Sequence, residues 1–153
     1  MNKYEALLSE ADEKGIKVKE LDLKSSDGRL KGNKIGIRKD LSTAMDKACV
    51  LAEELGHHHT SVGNILDLDI SSNRKQERQA RLWGYNKMIG LTGIIKAYQY
   101  GCRNLHDMAE LLEVPERYLV EAIECYRDKY GVFVSVDNYT IYFIPHLAVM
   151  EMI

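Results

Sequence analysis

The amino-acid sequence predicts an α+β protein in which a small antiparallel sheet precedes several helices and a closing β-hairpin. Three observations predict this class. Apolar and polar residues alternate around Gly and Asn turns between residues 16 and 38. Apolar residues recur at helical spacing through most of residues 42–130. β-Branched and aromatic residues alternate again at residues 132–143, which is typical of a hairpin.

The first helix and the sheet are predicted from short local signals. Residues 4–14 have an apolar stripe at helical spacing, and Gly15 is a natural end for that helix. Imperfect alternation over residues 16–23 is followed by turn residues at 25–28. Further strands are expected on both sides of Gly32 and Asn33, which completes a small antiparallel sheet.

A second helix is predicted to begin at Ser42 or Thr43, since either hydroxyl can cap it. Its apolar stripe would pack into the core. At about 100° per residue, Glu53 and His57 fall on the opposite side of the helix from that stripe. These polar residues are therefore expected to project toward a cleft between the helix and the sheet. The stripe consists of Ala44, Ala48, Leu51 and Leu55.

The remainder of the chain is predicted to be mainly helical. A loop over Ser61–Asn73 leads into a helix at Gln76–Ile89, which carries Glu77 in its first turn. We expect residues 1–90 to form a core and residues 91–153 to pack on it. The later elements are helices at Gly93–Tyr100, Leu105–Leu112 and Pro115–Tyr130, then strands at Val132–Val136 and Tyr139–Phe143.

Composition narrows the class of protein. A chain of 153 residues with 45% hydrophobic content can bury a core of its own. It has no apolar run of the roughly 20 residues that span a bilayer and no signal-peptide pattern, so we expect a cytoplasmic location. Its three cysteines form no C-x-x-C pair. Residues 14–40 are locally basic, which fits either a docking surface for a partner or the solvated face of a sheet.

The overall charge argues against direct nucleic-acid binding. The formal net charge is −2, whereas a protein that grips phosphates is normally basic. Residues 104–130 have the cadence of a helix-turn-helix, but acidic residues outnumber basic ones there. We therefore expect that the protein is not a DNA-binding regulator, although residues 104–130 keep that alternative open.

The segment Glu53-Glu54-Leu55-Gly56-His57 resembles a zinc-peptidase motif. In H-E-x-x-H the first and last residues share one helix face and bind one metal ion, while the Glu serves as general base. A third ligand can come from a Glu at the head of an E-x-x-A segment on a following helix. Residues 77–80, Glu-Arg-Gln-Ala, match that segment.

Taken together, these segments are similar to the ImmA/IrrE family of metallopeptidase-like proteins, which occur in prophages and mobile elements. The similarity lies in LKGNKIGIRKDLST, KACVLAEELGHHHTSVGNI, RKQERQARLWGYNKMI and YTIYFIP. It implies a gluzincin-like metallopeptidase domain with a bound zinc ion. It also implies a protein partner, a helix-turn-helix repressor of the XRE type encoded nearby, which the protein cleaves or engages to relieve repression.

By position, the resemblance implies that Glu53, His57 and Glu77 are the metal ligands and that Glu54 is the general base. Glu53 departs from the family pattern, which has His at that position. A second carboxylate makes harder ions such as Mn²⁺ or Mg²⁺ more competitive with Zn²⁺. It also opens an alternative function: a catalytically inactive peptidase fold that sequesters a repressor or toxin.

Gly56 favours fraying of the helix end, which would let His58 or His59 replace a ligand; both are otherwise exposed helix-end residues. A peptide substrate is expected to add as a strand near residues 30–37.

Overall fold

The computed structural model describes residues 1–61 and 70–153, with only the backbone described at 70–73. The chain divides into two compact units, Met1–Lys87 and Met88–Ile153. The predicted α+β class is confirmed. The division into a core at 1–90 and a packed segment at 91–153 stays a prediction.

The first unit contains a three-stranded sheet with strand order β1-β3-β2. β2 and β3 form an antiparallel hairpin, but β1 runs parallel to β3, so the sheet is mixed rather than purely antiparallel. The reason is that segment 22–27 crosses the end of β3, where Arg38 N–H donates to the Asp27 carbonyl oxygen. The elements are α1 (Lys3–Glu13), β1 (Lys17–Leu21), β2 (Gly28–Lys31), β3 (Lys34–Arg38), α2 (Ala44–Thr60) and α3 (Ile70–Met88).

The core of this unit lies between the sheet and helices α1 and α2. Burial of these aliphatic side chains is the main favourable contribution to its stability. Ala44, predicted to lie in the apolar stripe of α2, is exposed, and Cys49 and Ala52 are buried instead. The buried residues include Leu7, Ala11, Ile16, Ile35, Ile37, Ala48, Leu51 and Leu55.

Helix α2 begins where the sequence predicts but continues past the point at which fraying was expected. Thr43 caps its start, as predicted, since the Thr43 side chain accepts a hydrogen bond from Asp46 N–H. The helix does not fray at Gly56 but continues to Thr60. Helix α3 begins at Ile70, earlier than the predicted Gln76. Most of the loop predicted at Ser61–Asn73 lies in residues 62–69, outside the described part of the chain.

Glu20 on β1 connects three elements of the unit. Its carboxylate accepts a hydrogen bond of 3.0 Å from the Tyr4 hydroxyl on α1 and one of 2.7 Å from Lys47 Nζ on α2. Burial, reinforced by Glu20, raises the pKa of Tyr4 to about 12. The bond to Lys47 lowers the pKa of Glu20. The neutral tyrosine is therefore part of the stable arrangement.

The second unit contains three helices and a three-stranded antiparallel sheet of order β4-β5-β6. The predicted helices and hairpin are confirmed. Strand β6, which pairs with β5, was not predicted because it is short and closely follows Pro145. No helix in the described residues is both long and apolar enough to cross a membrane. The elements are α4 (Gly90–Gln99), α5 (Leu105–Leu112), α6 (Glu116–Tyr130), β4 (Phe133–Val136), β5 (Tyr139–Tyr142) and β6 (Ala148–Glu151).

The substitution Tyr4→Phe tests the link through Glu20. Because the folded-state pKa of Tyr4 is raised, its contribution to stability is full below pH 10.0 and is lost as pH rises through about 12. The free energy of unfolding of the parent, relative to Tyr4→Phe, should therefore fall by about 1 kcal/mol across that range, after allowance for solvent screening. Urea unfolding of both proteins at a series of pH values measures the difference. A difference that stays constant with pH would contradict the assignment.

Candidate metal centre

The backbones of helices α2 and α3 lie close together at Gly56 and Ala80. A Cβ atom on Gly56 would lie 2.2 Å from the Ala80 carbonyl oxygen and 3.0 Å from its carbonyl carbon. Both residues are buried, and Ala80 is 0% exposed. Because the obstacle is backbone rather than a flexible side chain, only glycine fits at position 56.

This contact brings the carboxylate of Glu77 to the imidazole of His57. Glu77 precedes Ala80 by one helical turn, and His57 directly follows Gly56. His57 Nε2 lies 3.5 Å from Glu77 Oε1 and 3.9 Å from Glu53 Oε1. One ligand atom from each of these three residues lies within 4.8 Å of the other two. The structure thus brings together the three side chains that the sequence nominates as ligands.

The three side chains are partly open to solvent. The exposed fraction is 27% for the His57 side chain, 47% for Glu53 and 45% for Glu77. Arg81, one turn after Glu77, places its Nε 3.7 Å from Glu77 Oε1. Arg81 was not among the predicted site residues, although its i, i+4 spacing from Glu77 is a recognisable signal.

Charges within the cluster shift the proton affinities of its members. The His57 imidazole lowers the pKa of Glu53, against the opposing effect of burial. The Glu53 carboxylate in turn raises the pKa of His57, and Glu77 adds to that rise. The two carboxylates therefore favour a positive charge at the position between them.

Glu54 occupies a different environment from Glu53. Burial raises the pKa of its carboxyl, and the nearby carboxylates of Glu53 and Glu77 add to the rise. Its side chain lies against the first residue of β2, where a Cβ on Gly28 would be 2.9 Å from Glu54 Cγ and 2.6 Å from Val50 Cγ1. The absence of a side chain at Gly28 leaves the space that Glu54 fills. Sequence reasoning treated Gly28 only as a turn residue.

Neither His58 nor His59 belongs to the cluster. His58 Nε2 is 2.9 Å from the side-chain oxygen of Asn33, in the turn between β2 and β3. The His59 ring lies 5.7 Å, centroid to centroid, from the ring of Trp83 on α3. Since α2 remains helical to Thr60, the three consecutive histidines point in three directions.

The donor set fits a divalent cation. One imidazole nitrogen and two carboxylate oxygens are ligands that Zn²⁺ and Mn²⁺ both accept, and three protein ligands leave a further position open. The two carboxylates also favour a positive charge at this position, as a bound cation would supply. Among the described residues, this is the group of His, Cys, Asp and Glu side chains arranged closely enough to hold an ion.

Comparison with protein families agrees with this geometry. The chain matches the model of the IrrE N-terminal-like domain, Peptidase_M78, over residues 11–124, which is most of its length. The chain belongs to this family. The Peptidase_M78 match includes α2 and α3 and therefore the whole cluster. It confirms the resemblance to ImmA/IrrE proteins and the metallopeptidase-like class of the fold. Comparison with curated proteins and with solved structures gives no significant match.

The substitution Gly56→Ala tests the contact between α2 and α3. The added methyl group collides with the backbone at Ala80, so the free energy of unfolding should fall by about 1–3 kcal/mol, as in other overpacked cores. The matched control is Gly93→Ala within α4, where the nearest obstacle is a methyl group of Leu112 at 3.3 Å. There the gain in helix propensity offsets crowding, and the change should stay within about 1 kcal/mol. Denaturant unfolding that finds the two variants equally stable would contradict the contact.

Proposed function

We propose that this Peptidase_M78 protein is a metal-dependent endopeptidase that acts on a protein partner. The observation that carries the proposal is the convergence of Glu53 and His57 on α2 with Glu77 on α3. Glu54 directly follows Glu53 on α2. Membership of a metallopeptidase family supports the same reading.

The metal ion would be held by Glu53, His57 and Glu77. When bound, a divalent ion supplies a Lewis acid that polarises the scissile carbonyl and makes water more acidic. Zn²⁺ is the proposed ion on family grounds. The second carboxylate makes Mn²⁺ a competitive alternative, since oxygen donors suit harder ions.

Glu54 is the proposed general base. Burial raises the pKa of the Glu54 carboxyl toward neutral pH. A general base with a pKa near the working pH takes up a proton from the attacking water more effectively. The same carboxyl can then deliver that proton to the departing amine. Gly28 lies against its side chain, so the carboxylate is held close to the start of β2.

Strand β2 is the proposed docking edge for the peptide. The peptide was expected near residues 30–37, but residues 34–38 form β3, which is paired on both sides. Within the described residues β2 pairs with β3 alone, so its outer edge can accept an added strand. Since Glu54 lies against Gly28, a peptide on this edge would pass close to the proposed base.

The proposed partner is a helix-turn-helix repressor of the XRE type encoded beside the protein. This proposal rests on the family resemblance.

Direct DNA binding is less well supported. Residues 104–130 do form two helices joined at Val114, but acidic residues outnumber basic ones there, which favours packing or protein contact over DNA.

A second candidate function is favoured by Glu53. A site that has Glu in place of the usual His carries one more negative charge, which weakens the acidification of water. A protein of this kind could retain the metal and the peptide edge and sequester a repressor or toxin without cleaving it.

Substitution of Glu54 by Gln separates the two candidates. Loss of a general base should lower the cleavage rate of a co-purified repressor by about 10²–10⁴-fold while leaving metal content unchanged. The measurements are cleavage by mass spectrometry and bound metal by elemental analysis. Glu13→Gln, an exposed helical carboxylate outside the cluster, is the control and should cleave like the parent. Equal rates for Glu54→Gln and the parent would show that Glu54 is not the base, and no cleavage by the metal-loaded parent would favour sequestration.

Substitution of Glu77 by Gln tests the ligand set. Loss of a direct ligand should weaken Zn²⁺ or Mn²⁺ binding by more than the roughly 10–100-fold that follows loss of an outer hydrogen-bond partner. Isothermal titration of each ion into parent, Glu77→Gln and the control Glu13→Gln gives the affinities. If Glu77→Gln binds both ions like the control, Glu77 is not a ligand.

A further inference from the structure

One face of the first sheet carries a cluster of unpaired positive charges. Ile35 and Ile37 are buried on the face that meets the helices, so alternate residues point to the other face. Five exposed cations lie there, and none makes an ion pair within the described residues. We name this cluster the basic sheet face. It consists of Lys17, Lys19, Arg29, Lys31 and Lys34.

The strand register places like charges side by side on this face. Lys17 on β1 and Lys31 on β2 are both the direct partners of Lys34 on β3. Like charges directly opposite each other destabilise a sheet, so this row has an unfavourable self-energy in the free protein. The nearby acids do not relieve it, since Asp27 and Asp40 pair with Arg38. An anionic partner would relieve the repulsion.

The basic sheet face reaches the open edge of the sheet through Arg29 and Lys31. The Asp27 carbonyl oxygen bonds to Arg38 on β3, and the direction of hydrogen bonding alternates along an antiparallel strand. Gly28 and Leu30 therefore direct their backbone groups toward the open side. The Gly28 carbonyl oxygen already accepts a hydrogen bond from the Ser26 hydroxyl. The Gly28 N–H and both groups of Leu30 have no hydrogen-bond partner among the described residues, so they are available to a polypeptide strand.

We propose that this edge recognises an extended, acidic protein segment that carries Asp or Glu at alternate positions. A strand paired with β2 places every second side chain on the basic sheet face, about 5 Å from Arg29 and Lys31. Carboxylates at those positions form cross-strand ion pairs. The intervening side chains face α2 and Glu54. The inference rests on the proposed function only in using the same substrate edge.

A polypeptide fits these observations better than a nucleic acid. A peptide backbone can pair with both the N–H and the C=O groups that Gly28 and Leu30 present, whereas a phosphate oxygen can only accept from the N–H groups. Sites for single-stranded nucleic acid combine positive charge with aromatic stacking surfaces, whereas the described residues of this face include no aromatic side chain. Leu21, which lies over Gly36, is the large apolar residue there.

The experiment compares two charge-reversed variants of the full-length chain. Arg29→Glu with Lys31→Glu alters the open edge, whereas Lys17→Glu with Lys19→Glu makes the same change in net charge on the opposite edge of the same face. The probe is the fluorescein-labelled peptide Thr-Val-Glu-Val-Glu-Val-Thr, with a counterpart in which Gln replaces both Glu. Fluorescence anisotropy measures binding with Zn²⁺ present and again after chelation.

The parent should bind the Glu peptide about tenfold more tightly than the Gln peptide, with or without Zn²⁺. The Arg29/Lys31 variant should lose this preference, and the Lys17/Lys19 variant should keep most of it. Thermal melts establish folding, and Arg29→Gln with Lys31→Gln serves if charge reversal prevents it.

Equal losses in the two variants, or tighter binding of duplex DNA or of phosphatidylserine vesicles than of the Glu peptide, would overturn the inference. A protein that binds the Glu peptide selectively but cleaves nothing would remove the endopeptidase and leave this inference standing.

Discussion

The backbone contact between Gly56 and Ala80 is the constraint on which the candidate metal centre depends. Two helices that met through larger side chains would lie farther apart, and the short carboxylate of Glu77 would not reach His57. The contact also explains the small residues in the two motif segments, Gly56 before His57 and Ala80 after Glu77. Glycine before the histidine removes the obstacle, and alanine three residues after the glutamate keeps its own side chain small.

Two neighbouring rows of side chains on helix α2 contact different parts of the first unit. Glu53 and His57, four residues apart, meet α3 and the carboxylate of Glu77. Val50, Glu54 and His58, also four residues apart, follow the β2–β3 hairpin from Gly28 to Asn33. The first row supplies the candidate metal ligands, and the second supplies the proposed base and lies against the proposed docking edge. Adjacent carboxylates thus acquire opposite pKa shifts from their surroundings.

Local sequence patterns predicted the elements and the members of the site, but not the distances between them. Helical spacing placed Glu53 and His57 on one face, and the E-x-x-A segment nominated Glu77. The sequence carries no local signal for the parallel pairing of β1, which depends on a crossover connection. Gly56 was misread as a point of fraying because intrinsic propensity ignores the second helix that requires a glycine there. The role of Gly28 likewise depends on a residue distant in sequence, Glu54.

The ligand set itself is open to direct measurement by X-ray absorption spectroscopy of the zinc-loaded protein. We expect a first coordination shell of nitrogen and oxygen, with multiple scattering from a single imidazole and no sulfur. That result matches His57 with Glu53 and Glu77, while His58 and His59 stay with Asn33 and Trp83. Two or more imidazoles, or a sulfur ligand, would contradict it.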